Sequence, residues 1–219
     1  MDLDLYVITD ETIAGGVSHV EIARAAIAGG ADVIQLRDKH AGCRHLITVG
    51  RAISDMTRGT ATLFIVNDRL DVAVACGADG VHLGQGDIRV DTARQIAPPG
   101  FIIGVSVGSV AEAEQAEKDG ADYIALSPVF DTQSKINAGP GHGLHLLRII
   151  RDRVSVPVIA IGGIDMSTAR NVIASGADGV AVISAAVGKP DIAKAVHELK
   201  SQVRQSKVDL EKNPGSRTV

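Results

Sequence analysis

Two aspartates, three cations and a pair of glycines carry the chemistry open to this sequence. Asp68 follows the apolar run Leu63–Asn67, and Asp87 closes His82-Leu83-Gly84-Gln85-Gly86-Asp87. Two carboxylates with open positions suit Mg²⁺ that also holds substrate phosphates. The competing reading is that each caps the next helix. Arg37, Lys39 and Lys135 are the cations that could meet a heavily charged anion such as pyrophosphate. Taken singly, each lysine also reads as a solvated surface charge. Gly162-Gly163 lets backbone N–H groups approach an anion, and Ser184 opens a later segment. The bland alternative is a tight turn needing glycine.

These groups act together only if the fold gathers them. The phrase Gly-Ala-Asp occurs at 30–32, 77–79, 120–122 and 176–178, at spacings of 47, 43 and 56 residues. Each copy follows an Ala-rich helical stretch and precedes a short apolar run. The glycine suits a left-handed helix end and the next residues enter a strand. The spacing fits two βα units. The intervening strands are Leu5–Thr9, Leu63–Asn67, Ile102–Ser106 and Val158–Ile161, continuous enough to be buried on both faces. Helical patterns lie near 18–28, 44–57, 69–76, 88–96, 109–119, 143–151, 166–175 and 190–203. Ser18 with Glu21 and Ser109 with Glu112 read as capping boxes. Eight strands, each followed by a helix, predict an α/β fold, a single (β/α)8 TIM barrel over residues 1–203. An open doubly wound sheet is the alternative. Residues 204–219 lack periodicity and read as a disordered tail.

In such a barrel the chemistry sits at the C-terminal strand ends. Those ends carry Gln35, Arg37 and Lys39, then Asn67 and Asp68, then Asp87, Ser106, Thr132 to Lys135, Gly163, and Ile183 with Ser184. The stretch from about Val129 to Gly143 is long and rich in Gly, Pro and Asn, which suits a lid that excludes water. His82 reads as a hydrogen-bonded interior histidine. His142 reads as an exposed loop residue with no assigned catalytic role.

Composition sets the outer limits. The chain has 219 residues, 45% hydrophobic, with a formal net charge of −4. That mild acidity argues against nucleic acid as the main partner. Cys43 and Cys76 form neither a disulfide framework nor a zinc spacing, and Cys76 reads as a small core residue. Asp2 and Asp4 interrupt any leader-like run, and no segment is apolar for long enough to cross a bilayer. The expected location is the cytoplasm, with small-molecule substrates and no membrane partner. Assembly into a homo-oligomer is left open.

The strand-end residues resemble those of the thiamine phosphate synthase family. The matching pieces run from Tyr6-Val7-Ile8-Thr9-Asp10 through Gln35–Lys39, Asn67-Asp68, Gly80–Gln85 with Asp87, Gly104-Val105-Ser106 and Thr132–Lys135. They end at Ala160–Ile164 and Ile183-Ser184-Ala185. The resemblance implies a transferase. It joins 4-amino-2-methyl-5-(diphosphooxymethyl)pyrimidine to a thiazole phosphate, giving thiamine phosphate and pyrophosphate by a dissociative, Mg²⁺-assisted displacement. It further implies that Gln35, Arg37, Lys39, Asn67, Ser106 and Lys135 bind the pyrimidine diphosphate, with Lys135, Ser106 and Arg37 as the catalytic set. Asp68 and Asp87 would hold Mg²⁺. Thr132, Gln133, Ser134, Gly163, Ile183 and Ser184 would hold the thiazole phosphate. Ser134, Ser127 and Asp131 stand where the family commonly has Thr, Gly and Pro; the hydroxyl at 134 is kept. A thiazole tautomerase, a non-catalytic sensor of thiamine precursors and another phosphate-binding isomerase are the competing functions. The metal pair and lysines count against the first, and an intact charged site against the second. The third lacks an obvious acid/base pair.

Overall fold

A computed structural model describes residues 1–132, 134 and 139–212. Eight parallel strands close into a barrel in sequence order: β1 (Leu5–Ile8), β2 (Val33–Leu36), β3 (Leu63–Asn67), β4 (Gly80–Leu83), β5 (Ile102–Val107), β6 (Tyr123–Leu126), β7 (Val158–Ile161) and β8 (Gly179–Val182). The helices between them are α1 (His19–Ala28), α2 (Cys43–Thr57), α3 (Leu70–Cys76), α4 (Val90–Ile96), α5 (Val110–Lys118), α6 (Gly143–Arg151) and α7 (Ala169–Ala174). A short α8 (Ser184–Val187) follows β8, and α9 (Ile192–Lys212) completes the ring. The barrel thus replaces the open-sheet alternative.

The repeated phrase has a mechanical role. Its glycines adopt φ of 90° (Gly30), 72° (Gly77), 93° (Gly120) and 100° (Gly176), the left-handed turn expected of them. Each aspartate then clamps the strand before it. Asp32 Oδ2 accepts from Leu5 N–H (2.8 Å) while the Asp32 N–H donates to Leu5 O (3.0 Å). Asp79 does the same with Phe64, Asp122 with Ile103, and Asp178 with Val158. Four two-bond clamps therefore set the register at the entry of β1, β3, β5 and β7. Three of these carboxylates are paired with cations: Asp32 with Lys200, Asp122 with Arg94 and Asp178 with Arg151.

The core has two layers. Leu, Ile, Val and Ala on the outer strand faces meet the helices, and Cys76 is buried among them as expected. Inside the barrel a smaller apolar cluster holds Tyr6, Ile8, Val33, Ile65, Tyr123, Ala125, Ile159 and Ala181. Alternation along each strand sends successive side chains into these two layers.

Two expectations need correction. Residues 204–212 are not a disordered tail, because α9 runs on to Lys212. Val203 and Ser206 are buried, Arg204 and Lys207 pair with Asp4, and Arg170 pairs with Asp209. Burial and these ion pairs carry the helix past the point where its apolar pattern thins. Residues 213–219 lie outside the described residues. The second correction concerns the capping boxes. Ser18 and Glu21 form one, but Glu112 reaches past Ser109 to accept from Gly108 N–H at 2.6 Å.

Candidate active site

One cavity of about 650 Å³ opens at the C-terminal strand ends. β2 delivers Gln35 to its floor and Arg37 and Lys39 to its wall; β3 delivers Asn67 and Asp68. The loop after β4 brings Asp87, and β5 brings Ser106. Thr132 and Ser134 enter from the loop after β6, Gly163 from β7, and Ile183 and Ser184 from the end of β8. Side chains separated widely in sequence therefore face one space, as barrel closure requires. Gln133 and Lys135 lie outside the described residues.

Asp68 and Asp87 stand together on one side. Neither caps a helix: the N-cap residues of α3 and α4 are Arg69 and Arg89, with no side-chain cap bond at either. Asp68 is the one non-glycine among the described residues with positive φ, at 61°. Such a conformation costs ~1–3 kcal/mol and persists only where surroundings enforce it. The Asp68 N–H donates to His82 O (2.8 Å), which fixes it to β4. Asp87 Oδ2 accepts from Gly84 N–H (2.7 Å), closing its own loop. Burial, and then the neighbouring charge of Asp87, push the Asp68 carboxyl above its ordinary range; Lys39 and Arg37 offset this only in part. The Lys39 ammonium lies 3.7 Å from Asp68 Oδ2. Two crowded acids, one of them disfavoured in its charged form, make a donor set that fits a divalent cation.

Arg37 is held in place by Asp10, its Nη1 3.2 Å from Asp10 Oδ2, and its N–H donates to Thr9 Oγ1 (3.3 Å). The buried His19 Nδ1 shares that Thr9 hydroxyl at 2.7 Å. Across the cavity, Ser134 Oγ and Ser184 Oγ are 3.3 Å apart, and the Ser134 N–H donates to Thr132 Oγ1 (3.2 Å). Gly162 (φ 102°) and Gly163 (φ 63°) line the same cavity as these hydroxyls. A Cβ on Gly163 would fall 2.7 Å from Asp131 O, so the close turn excludes a side chain. α8 starts at Ser184, and the first N–H groups of a helix have no acceptor within it. Hydroxyls, glycine backbone and a helix start make a pocket suited to one phosphate.

His82 is buried and bonds to Tyr123 Oη (3.0 Å) and Ser106 Oγ (2.9 Å), an interior histidine that also reaches the cavity floor. His142 is exposed beside Gly108, away from the cavity lining. Sequence reading passed over Lys189, a further cation at the phosphate-like end. It also passed over the roles of Tyr6 and Tyr123 beneath the floor. No local pattern marks inward-facing phenols on strands far apart in the chain. Groups of three or more His, Cys, Asp or Glu placed to hold a metal are absent among the described residues. Among the described residues, Asp68 and Asp87 are the neighbouring acids that could meet a metal at this site, with open positions left for substrate oxygens.

Fold and mouth together define the class: a (β/α)8-barrel enzyme with a carboxylate pair, cations and a hydroxyl-lined pocket around one cavity. Residues 5–186 match the family model described as thiamine monophosphate synthase, and the chain belongs to that family. It is a transferase of thiamine biosynthesis. A relative from Methanoregula boonei described as thiamine-phosphate synthase is 62% identical, over 94% of this chain and 96% of its own length. One from Moorella thermoacetica, with the same description, is 48% identical over 93% of this chain and 97% of its own. A solved structure described as thiamine phosphate pyrophosphorylase from Pyrococcus furiosus is 45% identical, with a TM-score of 0.87. That match covers 94% of this chain and 97% of that one. No helix among the described residues is long and apolar enough to cross a membrane.

Proposed function

We propose that the cavity joins 4-amino-2-methyl-5-(diphosphooxymethyl)pyrimidine to a thiazole phosphate, releasing thiamine phosphate and pyrophosphate. The carrying observation is that one cavity is lined by Asp68, Asp87, Arg37 and Lys39 on its β2–β4 side and by Thr132, Ser134, Gly163 and Ser184 on its β6–β8 side, which we read as two anion-binding ends. Two phosphorylated substrates need two such ends facing a common centre. A tautomerase acting on one phosphate would not use the first.

Asp68 and Asp87 would hold Mg²⁺, which when bound offsets the charge that grows on the departing diphosphate. Arg37 and Lys39 bind and orient that group, and Lys135 joins them through the family resemblance. The C–O bond to the diphosphate breaks with its electron pair leaving on pyrophosphate. The electron-rich aminopyrimidine spreads the positive charge left on the methylene carbon. The thiazole nitrogen, held close by its phosphate, then forms the new C–N bond. Positioning and charge stabilisation carry the rate, and no protein nucleophile is needed. Ser106 donates to the diphosphate end, while Gln35 and Asn67 line the pyrimidine side.

The test is to mix both substrates with Mg²⁺ and follow thiamine phosphate and pyrophosphate, with and without chelator. Both products should appear together and fall away when the ion is removed. Absence of thiamine phosphate at saturating substrates and Mg²⁺ would refute the proposal.

A further inference from the structure

Beneath the cavity floor, a row of hydrogen bonds crosses the barrel interior. The Gln35 Nε2 donates to Tyr6 Oη (2.7 Å), Tyr6 Oη lies 3.0 Å from Tyr123 Oη, and Tyr123 Oη lies 3.0 Å from His82 Nδ1. His82 Nε2 then lies 2.9 Å from Ser106 Oγ. The row begins at one cavity-lining residue and ends at another. Its two phenols are 1–2% exposed, and burial drives both far above the ordinary tyrosine pKa, so each keeps its proton. Gly104 makes the row possible: a Cβ there would lie 2.0 Å from Tyr123 Cζ. The His82 and Tyr123 rings stack at 5.6 Å with an interplanar angle of 28°.

With the Gln35 amide turned to donate to Tyr6 Oη, proton counting gives this row a direction. The amide of Gln35 fills one lone pair of Tyr6 Oη, so the Tyr6 proton goes to Tyr123 Oη. The Tyr123 proton then goes to His82 Nδ1. An imidazole accepting at Nδ1 carries its proton at Nε2, which donates to Ser106 Oγ. The Ser106 proton is left to point into the cavity, and so is the carbonyl oxygen of Gln35. Reversing one bond alone would set two buried donors or two bare acceptors face to face, costing ~1–3 kcal/mol, so the row can reverse only as a whole, with the Gln35 amide turned over.

We propose that Tyr6, Tyr123 and His82 are positioning residues that lock Gln35 as an acceptor and Ser106 as a donor towards substrate. Those are the two demands of an aminopyrimidine diphosphate: an amino group needs an acceptor, and an anionic oxygen needs a donor. The inference rests on the substrate reading above, which places the pyrimidine at this end. It adds that specificity for the amino group is set by residues whose phenols never touch it.

Two measurements decide it. In the wild-type protein, ¹⁵N NMR of His82 should show the Nε2–H tautomer; an Nδ1–H signal overturns the proposal. In the second, kcat/KM is measured for the 4-amino substrate and its 4-oxo analogue. A site with an oriented acceptor rejects the analogue by ~10⁴-fold or more. Tyr6→Phe frees the Gln35 amide to turn, so the ratio should drop at least tenfold, and Tyr123→Phe should lower it as well. A variant that merely loosens the barrel would slow both substrates and leave the ratio unchanged, which overturns the proposal. Wild-type protein that fails to use the amino substrate at all would instead refute the substrate reading.

Discussion

Gly163→Ala tests the proposed thiazole phosphate pocket separately from the rest of the site. At φ 63° an alanine costs ~1–2 kcal/mol through its left-handed backbone alone. Its Cβ would also sit 2.7 Å from Asp131 O and 2.8 Å from Phe130 Cβ, where ordinary contact starts at 3.4 Å. The turn must therefore move by roughly half an ångström or more. A shift of that size spoils one charge-assisted hydrogen bond from the turn, worth ~1.5–3 kcal/mol. At ~1.4 kcal/mol per tenfold, KM for the thiazole phosphate should rise ~10–100-fold. KM for the pyrimidine diphosphate, proposed to bind on the β2–β4 side, should change little. Initial rates with each substrate varied in turn measure this, and a thermal melt confirms folding. A folded variant with an unchanged thiazole KM, or equal rises in both, would refute the assignment of this turn.

Other perturbations test the scaffold and the charges. Lys200→Met removes the cation between Asp32 and Asp4, whose side chains are largely buried, and should cost ~3 kcal/mol in urea unfolding. Asp122→Ala orphans the Ile103 N–H and removes the ion pair of Arg94, which keeps its bonds to Phe101 O and Gly120 O, and should cost ~1–2 kcal/mol by the same assay. Burial raises the Asp4 pKa, but the hydrogen bond and charge of Lys207, with Lys200 and Arg204, outweigh it and hold it below 3.8. A depressed acid stabilises the fold above its unfolded value and loses that contribution as pH falls through the folded one. Asp4→Asn should therefore lower stability at neutral pH and narrow its gap to wild type below pH 3.8, as followed by acid titration of the unfolding midpoint. Asp68→Ala should lower turnover ~10²–10³-fold with the fold intact, read by pyrophosphate release.

Much of the barrel was legible because its strands are buried on both faces and so read as apolar runs. Leu63–Asn67 and Gly80–Leu83 appear in the chain nearly as they do in space. The strand-end residues were legible for a related reason: polar groups such as Gln35, Asn67 and Ser106 stand out at the edge of such runs. The clamp made by the repeated aspartate was not legible. It depends on which strand entry lies beside Asp32 or Asp178, a fact of register rather than of local pattern. The end of α9 was misjudged for an energetic reason. Lys207 and Asp209 look like solvated surface, yet ion pairs with Asp4 and Arg170 fasten that stretch to the barrel. Nothing local in the sequence shows that the hydroxyls of Tyr6 and Tyr123 meet at 3.0 Å. The loop expected to act as a lid is described at its two ends and at Ser134 only.

The proposed reaction requires a divalent ion shared by Asp68 and Asp87 beside one of two anion pockets. Crystals grown with Mn²⁺ and pyrophosphate would show this through the anomalous signal of the metal. The predicted result is a single strong peak between the two carboxylates, with pyrophosphate between it and the Arg37–Lys39 wall. A peak elsewhere, or pyrophosphate seated only against Gly163 and Ser184, would contradict the account.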